Sequence, residues 1–169
     1  MMRWIGAVLI LTGCGGFGFS LAAEHHRRER LVHQLLRGLK IMQWELQYRL
    51  TPLPELCRIG AKQAGGVPGQ VLLQLAQIME QQLYPDVSSC MQEVLTRQDG
   101  LPRSVRMLFR QLGTSLGRYD LPGQLEGLEA VYEGCKEEIR LMAQNREQRL
   151  RSYRTLGLCA GAALAIILV

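Results

Sequence analysis

Residues 31–53 read LVHQLLRGLKIMQWELQYRLTPL, and this stretch indicates the class of the fold. Its apolar residues recur every three or four positions, which is the period of one helix face, and it shows little of the alternation typical of a strand. Thr51 is suited to cap a following helix, and Pro52 to occupy its first helical position. The stretch therefore predicts a long amphipathic helix and then a second one. The predicted inward-facing stripe consists of Leu31, Leu35, Leu39, Met42, Leu46 and Leu50.

The same helical spacing continues through the middle of the chain. Residues that end helices interrupt it at 65–66, 84–86, 99–102 and 117. The interruption at 84–86 also supplies the cap of a short helix around residues 87–96. Asp120 is suited to cap the last helix, with Pro122 inside its first turn. The core positions predicted for these helices are Leu53, Leu56, Ile59, Ala64, Val71, Leu72, Leu75, Ile78, Met79, Val105, Leu108, Phe109, Leu112 and Leu116.

The last helix has the clearest periodicity in the chain. Its apolar residues alternate steps of three and four, as in a heptad seam. They are Leu125, Leu128, Tyr132, Cys135, Ile139 and Met142. We expect this helix to pair antiparallel with the first long helix, because both lead to apolar segments. The predicted domain is a stalk of two long helices, with the shorter helices packed at its far end.

Two uncharged apolar segments lie at residues 4–23 and 155–169. The first has about twenty residues, which is the length that spans a hydrocarbon core as a helix. The second is shorter, and Tyr153 can anchor it at the interface. The sequence therefore predicts an all-α, membrane-anchored bundle. A transmembrane helix over 1–23 and another over 155–169 would flank a cytoplasmic domain of about six helices over 24–154.

Basic residues border both apolar segments on the side of the middle region. After the first segment come Arg27, Arg28, Arg30, Arg37 and Lys40, and before the second come Arg146, Arg149, Arg151 and Arg154. On the other side of the first segment only Arg3 is basic. Because positive charge stays on the cytoplasmic side, the middle region is predicted to be cytoplasmic.

A second interpretation applies to the first apolar segment. Residues 11–14 read LTGC, which resembles the processing site of a lipoprotein with Cys14 as the lipidated residue. The apolar stretch before Cys14 is short for a signal peptide, and apolar sequence continues beyond it. The transmembrane interpretation is therefore favoured over the lipoprotein.

Composition argues against several classes of function. The net charge is only +5 and aromatic residues make up 6% of the chain, so a nucleic-acid-binding face is not indicated. The five cysteines form no CxxC pair, which is unlike a disulfide framework or a zinc site. His25, His26 and His33 lie in a basic segment without suitably placed ligands. We predict no enzyme activity, no cofactor and no metal.

Two motifs carry a resemblance to a known family. Residues 45–53 read ELQYRLTPL and residues 112–120 read LGTSLGRYD, with Gln124 following, and Leu156, Gly157 and Gly161 lie in the tail. In order and spacing the chain resembles the stage III sporulation protein AB family of endospore-forming bacteria, over nearly its whole length. The resemblance implies a platform in a secretion-like complex between mother cell and forespore. It implies location in the mother-cell (outer forespore) membrane, with a secretion-type ATPase on the cytoplasmic side and ring-forming components on the other.

The residues matched to the family include six candidate interaction or structural positions, which are Glu45, Tyr48, Pro52, Gly117, Asp120 and Gln124. Pro52, Gly117 and Asp120 suit helix ends. Gln124 would lie in the first turn of the last helix. Glu45 and Tyr48 are the better candidates for contact, although a hydrogen bond to a neighbouring helix is the favoured role.

One alternative function belongs to a different class. The heptad-like seam of the last helix is also compatible with a membrane-bound regulatory module that dimerises through Leu128, Tyr132 and Cys135.

Overall fold

The computed structural model describes the backbone of residues 2–117 and 120–168 and the side chains of residues 26–117 and 120–144. Within these residues the secondary structure consists of six α-helices without strands. Their bounds are Met2–Arg49 (α1), Leu53–Ala64 (α2), Gly66–Gln81 (α3), Val87–Thr96 (α4), Arg103–Ser115 (α5) and Leu121–Leu168 (α6). The predicted all-α class is confirmed, and α1 runs without a break from the first apolar stretch through the first amphipathic helix.

The long helices α1 and α6 run antiparallel, as expected. Gln43 donates a hydrogen bond of 2.6 Å to Glu129. An ion pair between Arg28 and Glu138, residues 110 positions apart in sequence, joins the two helices on the side of the domain that leads to the two apolar segments. We call the end near these two residues the proximal end. The opposite end, where α1 stops at Arg49 and α6 starts at Leu121, is the distal end.

Helices α1, α2 and α3 approach one another unusually closely through glycine. A Cβ atom at Gly38 would lie 2.9 Å from the carbonyl oxygen of Gly60, and one at Gly69 would lie 2.6 Å from that of Ala61. Both contacts are with backbone atoms, which cannot rotate away. The hairpin of α2 and α3 is also joined by Arg58, whose guanidinium lies 2.6 Å from Glu80. Helix α3 therefore ends near the distal end, where α2 begins.

Helices α4 and α5 complete the core between α3 and α6. Asp86 caps α4 by accepting a hydrogen bond of 2.7 Å from the Ser89 amide, as predicted. Among the side chains that the structure describes, the largest fully buried one is Phe109 of α5. Of the predicted core positions, Ile59 is only half-buried, and Leu53 and Met79 pack at the edge. Most of the others are buried as expected.

The first predicted helix junction needs three corrections. Pro52, with φ −57° and ψ 145°, takes the capping position of α2, so Thr51 is not its cap and Pro52 is not its first helical residue. Leu50 does not belong to the core stripe, because α1 ends at Arg49 and Leu50 adopts a left-handed φ of 52° that turns its side chain outward. The core stripe therefore ends at Leu46.

The seam of α6 is used inside the chain. Leu128, Val131 and Cys135 are buried in the common core, where α6 contacts α1 and α5. Tyr132 is half-buried against the same core. Dimerisation through Leu128, Tyr132 and Cys135 would require the core to open, so this alternative is not compatible with the fold.

Within the residues whose side chains the structure describes, no helix is long and apolar enough to cross a membrane. The two predicted membrane segments at 4–23 and 155–169, and the Cys14 of the lipoprotein alternative, lie outside those residues.

Candidate functional site

The corner between α1 and α2 is built around a buried carboxylate. Glu45 is only 6% exposed, although it is a charged residue near a helix end. It accepts a hydrogen bond of 3.1 Å from the Thr51 hydroxyl and lies 3.7 Å from the Arg49 guanidinium. The Glu45 side chain thus ties the last turn of α1 to the linker before α2. A hydrogen bond from Glu45 to a neighbouring helix was the favoured prediction, but Glu45 bonds to Thr51 in the linker instead.

The residues around this carboxylate present an exposed aromatic and apolar surface. Tyr48 is 66% exposed, Leu50 is 64% exposed and Trp44 is 45% exposed. The rings of Trp44 and Tyr48 lie 5.7 Å apart, and the Arg49 guanidinium lies 5.3 Å from the Trp44 ring centre. We call Trp44, Tyr48, Arg49 and Leu50 the distal patch. Exposed aromatic and Arg side chains of this kind are enriched among residues that anchor protein interfaces.

The second motif folds into the neighbouring corner, between α5 and α6. Gly117 has a left-handed φ of 78°, which favours glycine, and a Cβ atom there would lie 2.7 Å from Val87. Asp120 caps α6 by accepting a hydrogen bond of 3.2 Å from the Gly123 amide. The Gln124 amide donates to the Asp120 carbonyl at 2.9 Å, and the Gln124 side chain is half-buried. The predicted helix-end roles of Gly117 and Asp120 are confirmed.

The two motifs meet at the distal end. A Cβ atom at Gly117 would lie 3.4 Å from Leu53, the first residue of α2. Pro52 is the neighbour of Leu53 in the chain and is itself exposed. The six candidate positions therefore belong to two adjacent corners, of which one carries the distal patch. Leu83, 71% exposed just beyond α3, lies at the same end.

The chemistry available here is that of protein contact. Groups of three or more His, Cys, Asp or Glu side chains able to hold a metal do not occur in the described part of the chain. Cys57, Cys90 and Cys135 are free and buried. Trp44 and Leu50 were missed as surface candidates, since Trp44 fell outside the motif and Leu50 continued the apolar stripe. The signal available in the sequence was the run of large side chains at 44, 48 and 50 immediately before a proline.

The Glu45 and Thr51 pair gives a first prediction. Replacing Glu45 with alanine should lower the free energy of unfolding by about 1–3 kcal/mol, because a hydrogen bond to a partly buried charged group is lost. Thr51→Val removes the same bond from the other side. In the double variant the two effects should overlap by about 1 kcal/mol, as measured by chemical denaturation in a double-mutant cycle. Fully additive effects would show that Glu45 and Thr51 do not interact.

Comparisons with known proteins agree with these motifs. The family model described as "Stage III sporulation protein AB" matches residues 3–169. The stage III sporulation protein AB of Bacillus subtilis (strain 168) is 22% identical over 171 residues, covering 100% of both chains. A solved structure of a stage III sporulation protein AB superposes with a TM-score of 0.63 at 20% identity, covering 72% of this chain and 98% of that one. The fold is therefore shared with a solved member, and the chain belongs to the stage III sporulation protein AB family, a family of sporulation proteins.

Proposed function

We propose that the protein is a non-enzymatic membrane platform of a secretion-like complex joining mother cell and forespore during endospore formation. Its ends would anchor it in the mother-cell membrane, and its helical domain would dock the ATPase of the complex on the cytoplasmic side. The observation that carries this proposal is the distal patch, an exposed aromatic surface at the end opposite the predicted membrane segments.

The antiparallel pairing of α1 and α6 supports the anchoring. Since α1 begins and α6 ends on the proximal side, the apolar segments at 4–23 and 155–169 lead away from the same end of the domain. Two spans leaving one end in this way can enter one bilayer together. The basic residues that follow the first segment and precede the second then face the cytoplasm.

The build of the α1–α2 corner supports the docking. Arg27 and Arg49 are separated by 22 helical residues, which places the distal patch about 33 Å from the proximal end, within reach of a soluble partner. The Glu45 hydrogen bond holds the linker below the patch, so little conformational entropy would be lost on binding.

The proposal is tested by binding the ATPase of the complex to the full chain in nanodiscs. Tyr48→Ala and Leu50→Ser together should weaken binding by about tenfold or more, since central aromatic anchors carry most interface energy. The matched control is Gln47→Ala, an exposed neighbour on α1 outside the patch. In the source organism, the patch variant and an in-frame deletion should both lose heat-resistant spores after engulfment has finished.

Each outcome separates a different part of the proposal. Unchanged ATPase binding in the patch variant would remove the distal patch as the docking surface. A deletion strain with normal spore yield and normal late forespore gene expression would remove the platform role itself.

A further inference from the structure

The loop between α4 and α5, residues 97–102, is held firmly against the proximal end of α1. The Arg27 guanidinium donates a hydrogen bond of 3.2 Å to the Gly100 carbonyl. Arg106 donates to the carbonyls of Leu95 at 3.1 Å and Gln98 at 2.8 Å, which fixes the start of the loop. Leu101 is buried and fixes its end. The loop therefore keeps a defined height along α1, and we call it the proximal loop.

That height coincides with the membrane surface. Arg27 lies four residues beyond Ala23, the last residue of the first predicted span, and α1 continues through both without a break. Four helical residues correspond to about 6 Å along the axis. The headgroup layer on each side of a bilayer is about 5–7 Å thick. A loop bonded to Arg27 is thus placed within or directly beside the headgroups.

The exposed charge around the proximal loop is mainly positive. Arg28 is paired with Glu138, and Arg97 is paired with Glu93 at 2.7 Å. Arg30 and Arg103 are exposed and form no hydrogen bond or ion pair among the described side chains. Arg30 lies one turn after Arg27, on the same side of α1.

The start of α5 adds to this positive charge. Arg103 is its first residue, its first turn contains no acidic residue, and Pro102 offers no side chain to cap the amides. The free amides and the helix dipole favour an anion at this point. Asp99 is the acidic side chain of the proximal loop, and Glu29 faces His26 at 3.9 Å. Arg27 and Arg106 bond only to backbone carbonyls, so together with Arg30 and Arg103 four arginines lack an acidic partner. With histidine counted as neutral, Glu29 and Asp99 lack a basic partner, which leaves an excess of two positive charges.

We infer that the proximal loop, with Arg30 and Arg103, rests on the membrane and binds the phosphates of anionic lipid headgroups. The contact gives the domain a second attachment to the bilayer beside its helices and fixes which side of the domain faces the lipid. This inference rests on the proposed insertion of residues 4–23 in a membrane.

A fluorescent reporter on the proximal loop tests the inference in the full chain. With Cys14 and Cys159 replaced by alanine, Gly100→Cys offers one accessible thiol, because Cys57, Cys90 and Cys135 are buried. A Cβ atom at residue 100 would meet only the flexible end of Arg27, at 3.2 Å. The control label is Gln47→Cys on α1, about 30 Å further from the membrane. Vesicles contain phosphatidylglycerol and phosphatidylcholine, with a nitroxide quencher on the headgroup of one lipid or the other.

We expect strong quenching at residue 100 and none at residue 47. Quenching by labelled phosphatidylglycerol should exceed that by labelled phosphatidylcholine at equal mole fraction, and the excess should fall in 0.5 M salt. Arg30→Gln and Arg103→Gln should each reduce the local enrichment of anionic lipid about fivefold. Asp99→Asn should increase the local enrichment of anionic lipid.

Two results would overturn the inference while leaving the membrane anchor intact. Carbonate-resistant protein without quenching at residue 100 would show that the proximal loop stands away from the bilayer and is free for a protein partner. Equal quenching by both lipids in the labelled protein with Arg30 and Arg103 intact would show that the proximal loop lies near the bilayer but does not recognise anionic headgroups. Protein extracted by carbonate would instead refute the membrane insertion of the proposed function, and the lipid contact with it.

Discussion

Gly69→Ala and Gly38→Ala should each lower the free energy of unfolding by about 1–3 kcal/mol, the range for overpacking a well-packed interior. In an ordinary helix the same change stabilises by up to about 1 kcal/mol, because glycine is a poor helix former. Here a Cβ atom at Gly69 would lie 2.6 Å from a backbone oxygen of α2, and one at Gly38 would lie 2.9 Å from another. The helices themselves must separate to make room. Combining both changes would remove a large part of the 5–15 kcal/mol that stabilises a typical domain.

The matched control is Gly134→Ala in α6. A Cβ atom there would meet only the end of the Leu108 side chain, at 3.1 Å, which can move. This variant is expected to be neutral or slightly stabilising. All three variants can be compared by urea unfolding followed by circular dichroism. Equal effects of the three replacements would show that the close approach of α1, α2 and α3 is not required for stability.

Alkaline pH should destabilise the domain through two buried thiols. Burial raises the pKa of Cys57 from 9.0 to about 12. Burial, followed by the nearby Glu138 carboxylate, raises the pKa of Cys135 to about 12 as well. Above pH 9 the unfolded chain releases these protons while the folded chain keeps them. Their contribution to stability is thus complete below pH 9 and is lost progressively up to about pH 12, at about 1.4 kcal/mol per pH unit for each thiol.

The control for the pH effect is a variant with Cys57→Ala and Cys135→Ala. The free energy of unfolding of the wild type and of the variant should be measured at several values between pH 8 and pH 11. The variant is expected to be less stable at pH 8, because two core side chains are shortened. Its free energy of unfolding should nevertheless fall less steeply as the pH rises. The difference between the two slopes should correspond to about two protons per molecule. Parallel curves for the two proteins would refute the contribution of the thiols.

Helix class and helix ends were accessible from local patterns. The recurrence at Leu31, Leu35, Leu39 and Met42 predicted a buried face, because side chains three or four residues apart share one side of any helix. Asp86 and Asp120 were recognised as caps because a short acceptor side chain satisfies the amides of its own first turn. These interactions join residues close in sequence, so they can be read without knowing the rest of the fold.

Local patterns were insufficient where a helix stops. The apolar spacing continued to Leu50 and Thr51 resembled a cap, yet α1 ends one residue earlier and Thr51 turns back to Glu45. The left-handed backbone conformation of Leu50 turns its side chain away from the core. This change converts a predicted core residue into part of the distal patch.

Glycines inside helices are a further signal present in the sequence. Glycine in a helix interior costs about 1 kcal/mol relative to alanine, so its presence at 38 indicates a close approach of another backbone. The identity of that backbone could not be derived from the sequence, because it belongs to Gly60 on a different helix.

The sequence alone established an all-helical chain, the order of its helices, their buried faces and its family, since all of these depend on local spacing or on motif order. The tertiary structure alone decided that the motifs at 45–53 and 112–120 share one end of the domain, and that Glu138 pairs with Arg28 instead of remaining in solvent. It also decided that the seam of α6 is buried against other helices of the same chain. Each of these depends on residues far apart in sequence, whose meeting is set by the packing of whole helices rather than by any local preference.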